Sequence, residues 1–186
     1  AKRKMAEELG LEYDAPSDEQ ESASEEITNN DEAFVAKESL GFNIGVAASA
    51  GVYAGDTFAN IPTGATVVLS TPLGFKIGPL DYTVSLGFGS YTGDGGDVEF
   101  NPTFAGLGGN LTLMNLIFAE GHLGLVGEGS GLRGFAGVTL DRLMSKTLNL
   151  PVNLLIGSEL FYSTDMAGIG NSSGWLSLGV RLDYGF

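Results

Sequence analysis

From residue 40 to the end of the chain, large apolar residues alternate one by one with small or polar residues. The closing segment GWLSLGVRLDYGF shows this alternation, with Arg181 and Asp183 on one parity and apolar residues on the other: Leu176, Leu178, Val180, Leu182, Tyr184 and Phe186. Successive side chains of a β-strand point to opposite faces, so a period of two predicts strands. Each predicted strand has one apolar face and one face that is small, polar and sparsely charged.

Eight such segments follow one another, at roughly 41–54, 65–77, 80–91, 103–114, 116–126, 132–142, 151–162 and 175–186. An even number of strands of similar length predicts an all-β, eight-stranded antiparallel up-and-down barrel. Tight turns are expected at Gly78-Pro79 and Met114-Asn115. Long polar links are expected after the first, third and seventh strands, and a shorter one, GEGSG, after the fifth. The link LMSKTLNL after the sixth strand is longer than this rule predicts.

The polar face indicates what surrounds the barrel. That face is mostly Gly, Ser, Thr and Asn with a few charges of both signs, whereas the exterior of a soluble domain is about 25–35% charged. The opposite face would form a continuous apolar belt, which is tolerated in lipid but not in water. Aromatic residues fall near the two ends of the predicted strands, as in membrane barrels: Phe42, Phe75, Tyr82, Tyr184 and Phe186 at one end, and Phe88 and Tyr162 at the other. These features predict a transmembrane barrel.

Charge and composition exclude several classes of function. The formal net charge is −14, which disfavours a nucleic-acid partner. Residues 1–39 hold 12 acidic and 4 basic side chains, a net charge of −8, and predict an acidic, largely irregular extension that is separate from a barrel domain over 40–186. There is no cysteine, and no clustered metal ligands or phosphate-binding loop are apparent, so neither a metal site nor a cofactor is expected.

The pattern of residues 40–186 resembles the eight-stranded bacterial outer-membrane barrels of the OmpA transmembrane-domain and OmpX type. Tyr184 and Phe186 resemble the C-terminal signature by which the barrel-assembly machinery recognises such proteins. The resemblance implies a multi-pass protein of the bacterial outer membrane, in contact with its lipid. It also implies that both termini are periplasmic, so that the long links are extracellular.

Charges inside so narrow a barrel must be paired. Across the Gly78-Pro79 turn, Lys76 is expected opposite Asp81. If Asp141 faces Pro151, Arg133 comes opposite Glu159. Counting along the strands brings Glu120 and Arg181 to similar heights, where they are expected to meet across the lumen. The predicted lumenal charge network is Lys76, Asp81, Glu120, His122, Arg133, Glu159, Arg181 and Asp183.

Three functions fit this network. The first is a structural, anchoring or scaffolding barrel, as a subunit of a larger envelope complex or alone, with a periplasmic or outer-membrane protein partner bound through residues 1–39. The second is a narrow pore gated by the lumenal charges. The third is a lipid-modifying enzyme centred on His122, the single histidine. No His-x-Ser element accompanies His122, so we expect a non-enzymatic protein.

Overall fold

The structure is a computed structural model that describes residues 41–96, 99–140 and 152–186. The predicted acidic extension over 1–39 and the expected pairing of Asp141 with Pro151 lie outside these residues. The division of the chain into an extension and a barrel therefore stays a prediction.

Eight antiparallel strands form one closed barrel. Their bounds are β1 Asn43–Ala54, β2 Thr63–Ile77, β3 Leu80–Tyr91, β6 Thr103–Leu113, β7 Ile117–Val126, β8 Gly129–Thr139, β9 Asn153–Ser163 and β10 Ser173–Gly185. Two short strands that the sequence did not predict, β4 Gly93–Asp94 and β5 Glu99–Phe100, pair within the link after β3. Each barrel strand pairs with its neighbours in the chain, and β1 pairs with β10 to close the barrel. The predicted all-β, eight-stranded up-and-down barrel is confirmed.

The two ends of the barrel differ in their connections. We call the end with Phe42 and Phe186 the terminal end, and the other the loop end. At the terminal end, Gly78-Pro79 joins β2 to β3 and a three-residue link, 114–116, joins β6 to β7. At the loop end, the expected GEGSG link is shorter than predicted. Gly127, with a φ of 61°, and Glu128 make a two-residue turn, because Ser130 and Gly131 already pair with β7.

The outer surface is an apolar belt to which every barrel strand contributes. Exposed large apolar side chains include Ile44, Val67, Phe88, Leu107, Leu123, Leu132, Ile156 and Leu178, one from each of the eight strands. At the terminal end, the Phe186 ring stacks on Phe42 and Tyr184, and the Phe186 N–H donates to the Phe42 carbonyl. Across 41–96, 99–140 and 152–186, the chain makes no helix of the length and hydrophobicity that crossing a bilayer requires.

The barrel interior is more aromatic than the sequence pattern predicted. A loop-end aromatic cluster contains Tyr91, Phe104, Phe161 and Trp175, packed with Val126 and Met166. A smaller terminal-end cluster contains Phe118, Phe135 and Leu155. The expectation of a small and polar lumenal face was therefore incomplete. Four of the charged side chains lie between these two apolar layers, which exclude water from both sides: Glu120, Arg133, Glu159 and Arg181.

Candidate functional site: a buried chain of alternating charges

Five charged side chains form one continuous chain across the lumen, in the order Asp183, Arg181, Glu120, Arg133 and Glu159. Arg181 donates through Nε to Asp183 Oδ1 at 2.6 Å and through Nη1 to Glu120 Oε2. Arg133 donates through Nη1 to Glu120 Oε1 and through Nε to Glu159 Oε1 at 2.6 Å. The signs alternate along the chain, so every charge has at least one opposite charge in contact. Such pairing is what makes charges tolerable where water is excluded.

Among the five charged side chains, Glu159 accepts hydrogen bonds from the largest number of donors. Besides Arg133, its carboxylate accepts from the Ser49 hydroxyl at 2.7 Å, the Tyr91 hydroxyl at 2.8 Å and the Thr66 hydroxyl at 3.2 Å. These donors come from β1, β2 and β3, which lie two, three and four strands away from β9 around the barrel. The carboxylate therefore ties both halves of the barrel wall together.

Each arginine also lies over aromatic rings of its own apolar layer. The Arg181 guanidinium carbon is 4.7 Å from the centre of the Phe118 ring, and that of Arg133 is 5.7 Å from the centre of the Phe104 ring. Cation–π contact of this kind is stronger in a desolvated site. The aromatic layers consequently stabilise the two cations as well as excluding water.

Gly45 makes room for one end of the charged chain. A Cβ atom at this position would lie 2.5 Å from Arg181 Nε, and it would also overlap the Asp183 carboxylate. Only glycine leaves this space on the inward face of β1. The inward glycines of the sequence thus reflect the space that the lumenal side chains occupy.

One predicted register is wrong and another is confirmed. Arg133 pairs with Phe161 rather than with Glu159, so β8 and β9 are shifted by two residues from the expected register. The Arg133–Glu159 ion pair forms nevertheless, because the long arginine side chain reaches Glu159 diagonally. Lys76 lies opposite Asp81 as predicted, with a distance of 3.4 Å between Lys76 Nζ and Asp81 Oδ2. That pair is partly exposed at the terminal end and is separate from the five charged side chains that cross the lumen.

His122 belongs to a hydrogen-bonded chain of neutral groups beside the charges. Its Nδ1 is 3.3 Å from Arg133 Nη1, and its Nε2 is 2.9 Å from Ser85 Oγ. Because the Arg133 guanidinium can only donate hydrogen bonds, Nδ1 is assigned as an acceptor. Nε2 then carries the ring proton and donates to the Ser85 hydroxyl. Ser85 donates in turn to Asn110 Oδ1 at 3.1 Å, and Asn110 donates to Ser70.

The Ser85, His122 and Glu120 side chains superficially resemble a hydrolase triad. In a triad the histidine nitrogen beside the serine must be free to take the serine proton. With Arg133 donating to Nδ1, the proton of the neutral ring belongs on Nε2, the nitrogen beside the serine, and Glu120 Oε1 is 3.7 Å from Nδ1, beyond hydrogen-bond distance. All three residues are buried, Ser85 completely. This arrangement favours a structural role for His122.

The charged chain and the aromatic layers lie between two open cavities. A cavity of about 460 Å³ at the terminal end is bordered by Asn43, Asp81, Thr112, Phe118, Asn153 and Asp183. A cavity of about 590 Å³ lies among the links of the loop end. Arg133, Glu159 and Arg181 are at most 1% exposed. Within the part of the chain that the structure describes, no cluster of three or more potential metal ligands occurs.

The sequence prediction omitted the aromatic residues of the lumen. Phe118 has the same parity as Glu120, and Phe135 the same parity as Arg133, so the alternation itself identifies both rings as inward-facing. Tyr91 likewise has the parity of Ser85, so the alternation also places its ring inward, but its partner could not be found in this way. Its contact with Glu159 joins β3 to β9, which are not neighbours in the barrel.

No protein-family model matches this chain, and a search of the curated proteins found no match. Among solved structures, the crystal structure of Neisserial surface protein A (NspA) is similar, with a TM-score of 0.51 and 15% sequence identity. The match covers 81% of this chain and 100% of that chain. The predicted resemblance is confirmed at the level of fold: the chain has the eight-stranded barrel architecture of the OmpA and OmpX type of outer-membrane protein.

Proposed function

We propose that this protein is an integral protein of a bacterial outer membrane, and that its barrel is a closed, non-enzymatic membrane anchor. The observation that carries the proposal is the division of the barrel wall: apolar side chains such as Leu123 and Leu178 point outward, and ion-paired charges lie inside. In water the apolar belt would be exposed at a large cost in free energy, whereas the hydrocarbon core of a bilayer is itself apolar and removes this cost. The partners we propose are outer-membrane lipid and the barrel-assembly machinery.

We further propose an orientation with both termini in the periplasm, as the resemblance to the OmpA and OmpX type implies. In that orientation residues 1–39 would be periplasmic, and we propose that this acidic segment binds a periplasmic or outer-membrane protein. Tyr184 and Phe186, both exposed at the terminal end, would serve as the assembly signal. The barrel would then anchor both its extracellular loops and its periplasmic segment in the outer membrane.

Replacing Leu123 with arginine tests the membrane environment. Leu123 is 71% exposed near mid-height on β7. A lipid-facing arginine there should destabilise the barrel by about 2–4 kcal/mol, because the guanidinium lies in hydrocarbon. The measurement is folding into lipid vesicles at increasing urea, followed by the heat-dependent shift in gel mobility that folded barrels show.

Ile169→Arg is the matched control, since Ile169 is also exposed but lies in a link at the loop end. We expect a change within about 0.5 kcal/mol for this variant. Equal and small effects of both substitutions, with a wild-type protein that is monodisperse in plain buffer, would contradict the membrane proposal.

A gated pore is the second candidate, because two cavities flank the charged chain. The buried chain favours the closed anchor, and conductance separates the two functions. In planar bilayers we expect negligible current from the wild type, from Arg181→Glu and from Arg181→Met, which removes the charge and keeps a long side chain. Reproducible current steps from the wild type, with ion selectivity altered by Arg181→Glu, would instead establish a pore.

A further inference from the structure

The loop-end cavity has the size and lining of a small-molecule site. Its volume of about 590 Å³ falls within the range of about 300–1,000 Å³ that is typical of ligand pockets. Three of the four loop-end links contribute to it, so its shape depends on the folded barrel. The side chains that matter most for recognition are Tyr53, Asp56, Thr57, Phe100, Asn171 and Ser173.

Ser173 is a buried polar group without a partner. The residue borders this cavity and is only 8% exposed, and its hydroxyl makes no hydrogen bond within the protein. A Cβ atom at position 55 would lie 2.7 Å from Ser173 Oγ, so Gly55, which also borders the cavity, leaves the space beside this buried hydroxyl free of side-chain atoms. Buried polar groups in proteins are almost always hydrogen-bonded. An unpaired hydroxyl at the base of a cavity therefore points to a ligand atom.

The charge of the loop end decides the class of ligand. The links over 55–62, 92–102, 127–128 and 164–172 contain six acidic residues and no lysine, arginine or histidine. The acidic residues are Asp56, Asp94, Asp97, Glu99, Glu128 and Asp165. Their summed field attracts cations and repels anions. Asp56 is the acidic residue that borders the cavity itself.

The apolar lining decides the shape of the ligand. Phe100 and Tyr53 border the cavity, together with Ile169 and Ala167. Phe100 packs against Phe58 at 5.2 Å between ring centres, and Phe58 packs against Trp175 at 5.6 Å. A hydrated inorganic cation would gain nothing from these surfaces. An organic cation would bury its hydrocarbon part against them and could also contact the aromatic faces.

We propose that the loop-end cavity binds an organic cation that consists of a primary ammonium group on a short apolar chain. The ammonium donates to the Asp56 carboxylate and the Ser173 hydroxyl, with the Asn171 amide oxygen as a further acceptor. The chain packs on Tyr53 and Phe100. This site depends on the barrel fold alone, so it stands whether or not the barrel conducts ions.

Trp175 provides a direct optical test, because it is the single tryptophan of the chain and lies two residues from Ser173. The full chain in phosphatidylcholine nanodiscs is titrated with hexylamine, hexan-1-ol and hexanoate. These probes share a chain length and differ in charge at neutral pH. Trp175 emission and calorimetry are recorded together, so that binding without a change in emission is also detected.

We expect saturable binding of hexylammonium, about tenfold tighter than that of hexan-1-ol, and no binding of hexanoate. Asp56→Asn should weaken hexylammonium binding about fivefold and leave hexan-1-ol unchanged, which corresponds to one partly exposed ion pair. Ser173→Ala should weaken hexylammonium binding about threefold. Glu128→Gln, which removes an exposed loop-end charge that does not border the cavity, should change it less than twofold.

Three results would overturn the proposal. The first is the absence of saturable binding by emission and by calorimetry. The second is equal affinity for hexylammonium and hexan-1-ol, which would mean that the cavity selects hydrocarbon only. The third is an equal effect of Asp56→Asn and Glu128→Gln, which would mean that the general negative field attracts the amine without a defined site.

Discussion

Replacing Glu120 with alanine should lower the free energy of unfolding by about 3–5 kcal/mol, because the carboxylate joins both arginines of the lumen. Its removal leaves Arg133 with Glu159 alone and Arg181 with Asp183 alone. The two guanidinium groups then face each other across a gap with no anion between them. The measurement is reversible urea unfolding of the barrel in lipid vesicles, followed by gel mobility and by Trp175 fluorescence.

The terminal-end pair supplies the matched control for this substitution. Asp81→Ala also removes a carboxylate from an ion pair, but the Lys76 side chain is 44% exposed and keeps its hydration. We expect that variant to lose no more than about 1 kcal/mol. A similar loss for Glu120→Ala and Asp81→Ala would show that water enters the lumen and that the charged chain is not desolvated.

Replacing Phe161 with alanine should cost about 3–5 kcal/mol, since Phe161 is fully buried in the loop-end aromatic cluster. Its ring stacks on Trp175 at 4.2 Å and packs edge-on against Tyr91 at 4.9 Å. The substitution would leave a cavity above the charged chain and remove one of the two rings near the Arg133 guanidinium. Unfolding in vesicles reports the loss, and the near-ultraviolet circular dichroism of Trp175 reports the loosened packing.

Tyr162→Ala is the control, because Tyr162 is the next residue of β9 and points outward. Lipid can fill the space that the missing ring leaves, so no cavity forms and the loss should be clearly smaller than that of Phe161→Ala. If Tyr162→Ala were the more damaging of the two, the assignment of inward and outward faces on β9 would be wrong.

The charged chain shows how far sequence reasoning reaches within a closed barrel. Hairpin counting placed Lys76 opposite Asp81 correctly, because a two-residue turn fixes the register of neighbouring strands. The same counting failed between β8 and β9, whose connection lies outside the described residues. The Glu120–Arg181 contact was expected from similar heights in the barrel, and the structure brings the two side chains together. Their role in anchoring or gating stays a proposal.

The sequence by itself determined the eight barrel strands, the face that most of their residues occupy and the need for paired charges. These properties are local, since a period of two assigns faces along a strand until a β-bulge, such as the one between Gly51 and Tyr53, shifts the alternation. The hydroxyl partners of Glu159, the packing of Phe161 on Tyr91 and the loop-end cavity around Ser173 were decided only by the tertiary structure. Each of them joins strands that are distant in the chain, and their relative heights depend on the tilt and stagger that closing the barrel imposes on all eight strands together.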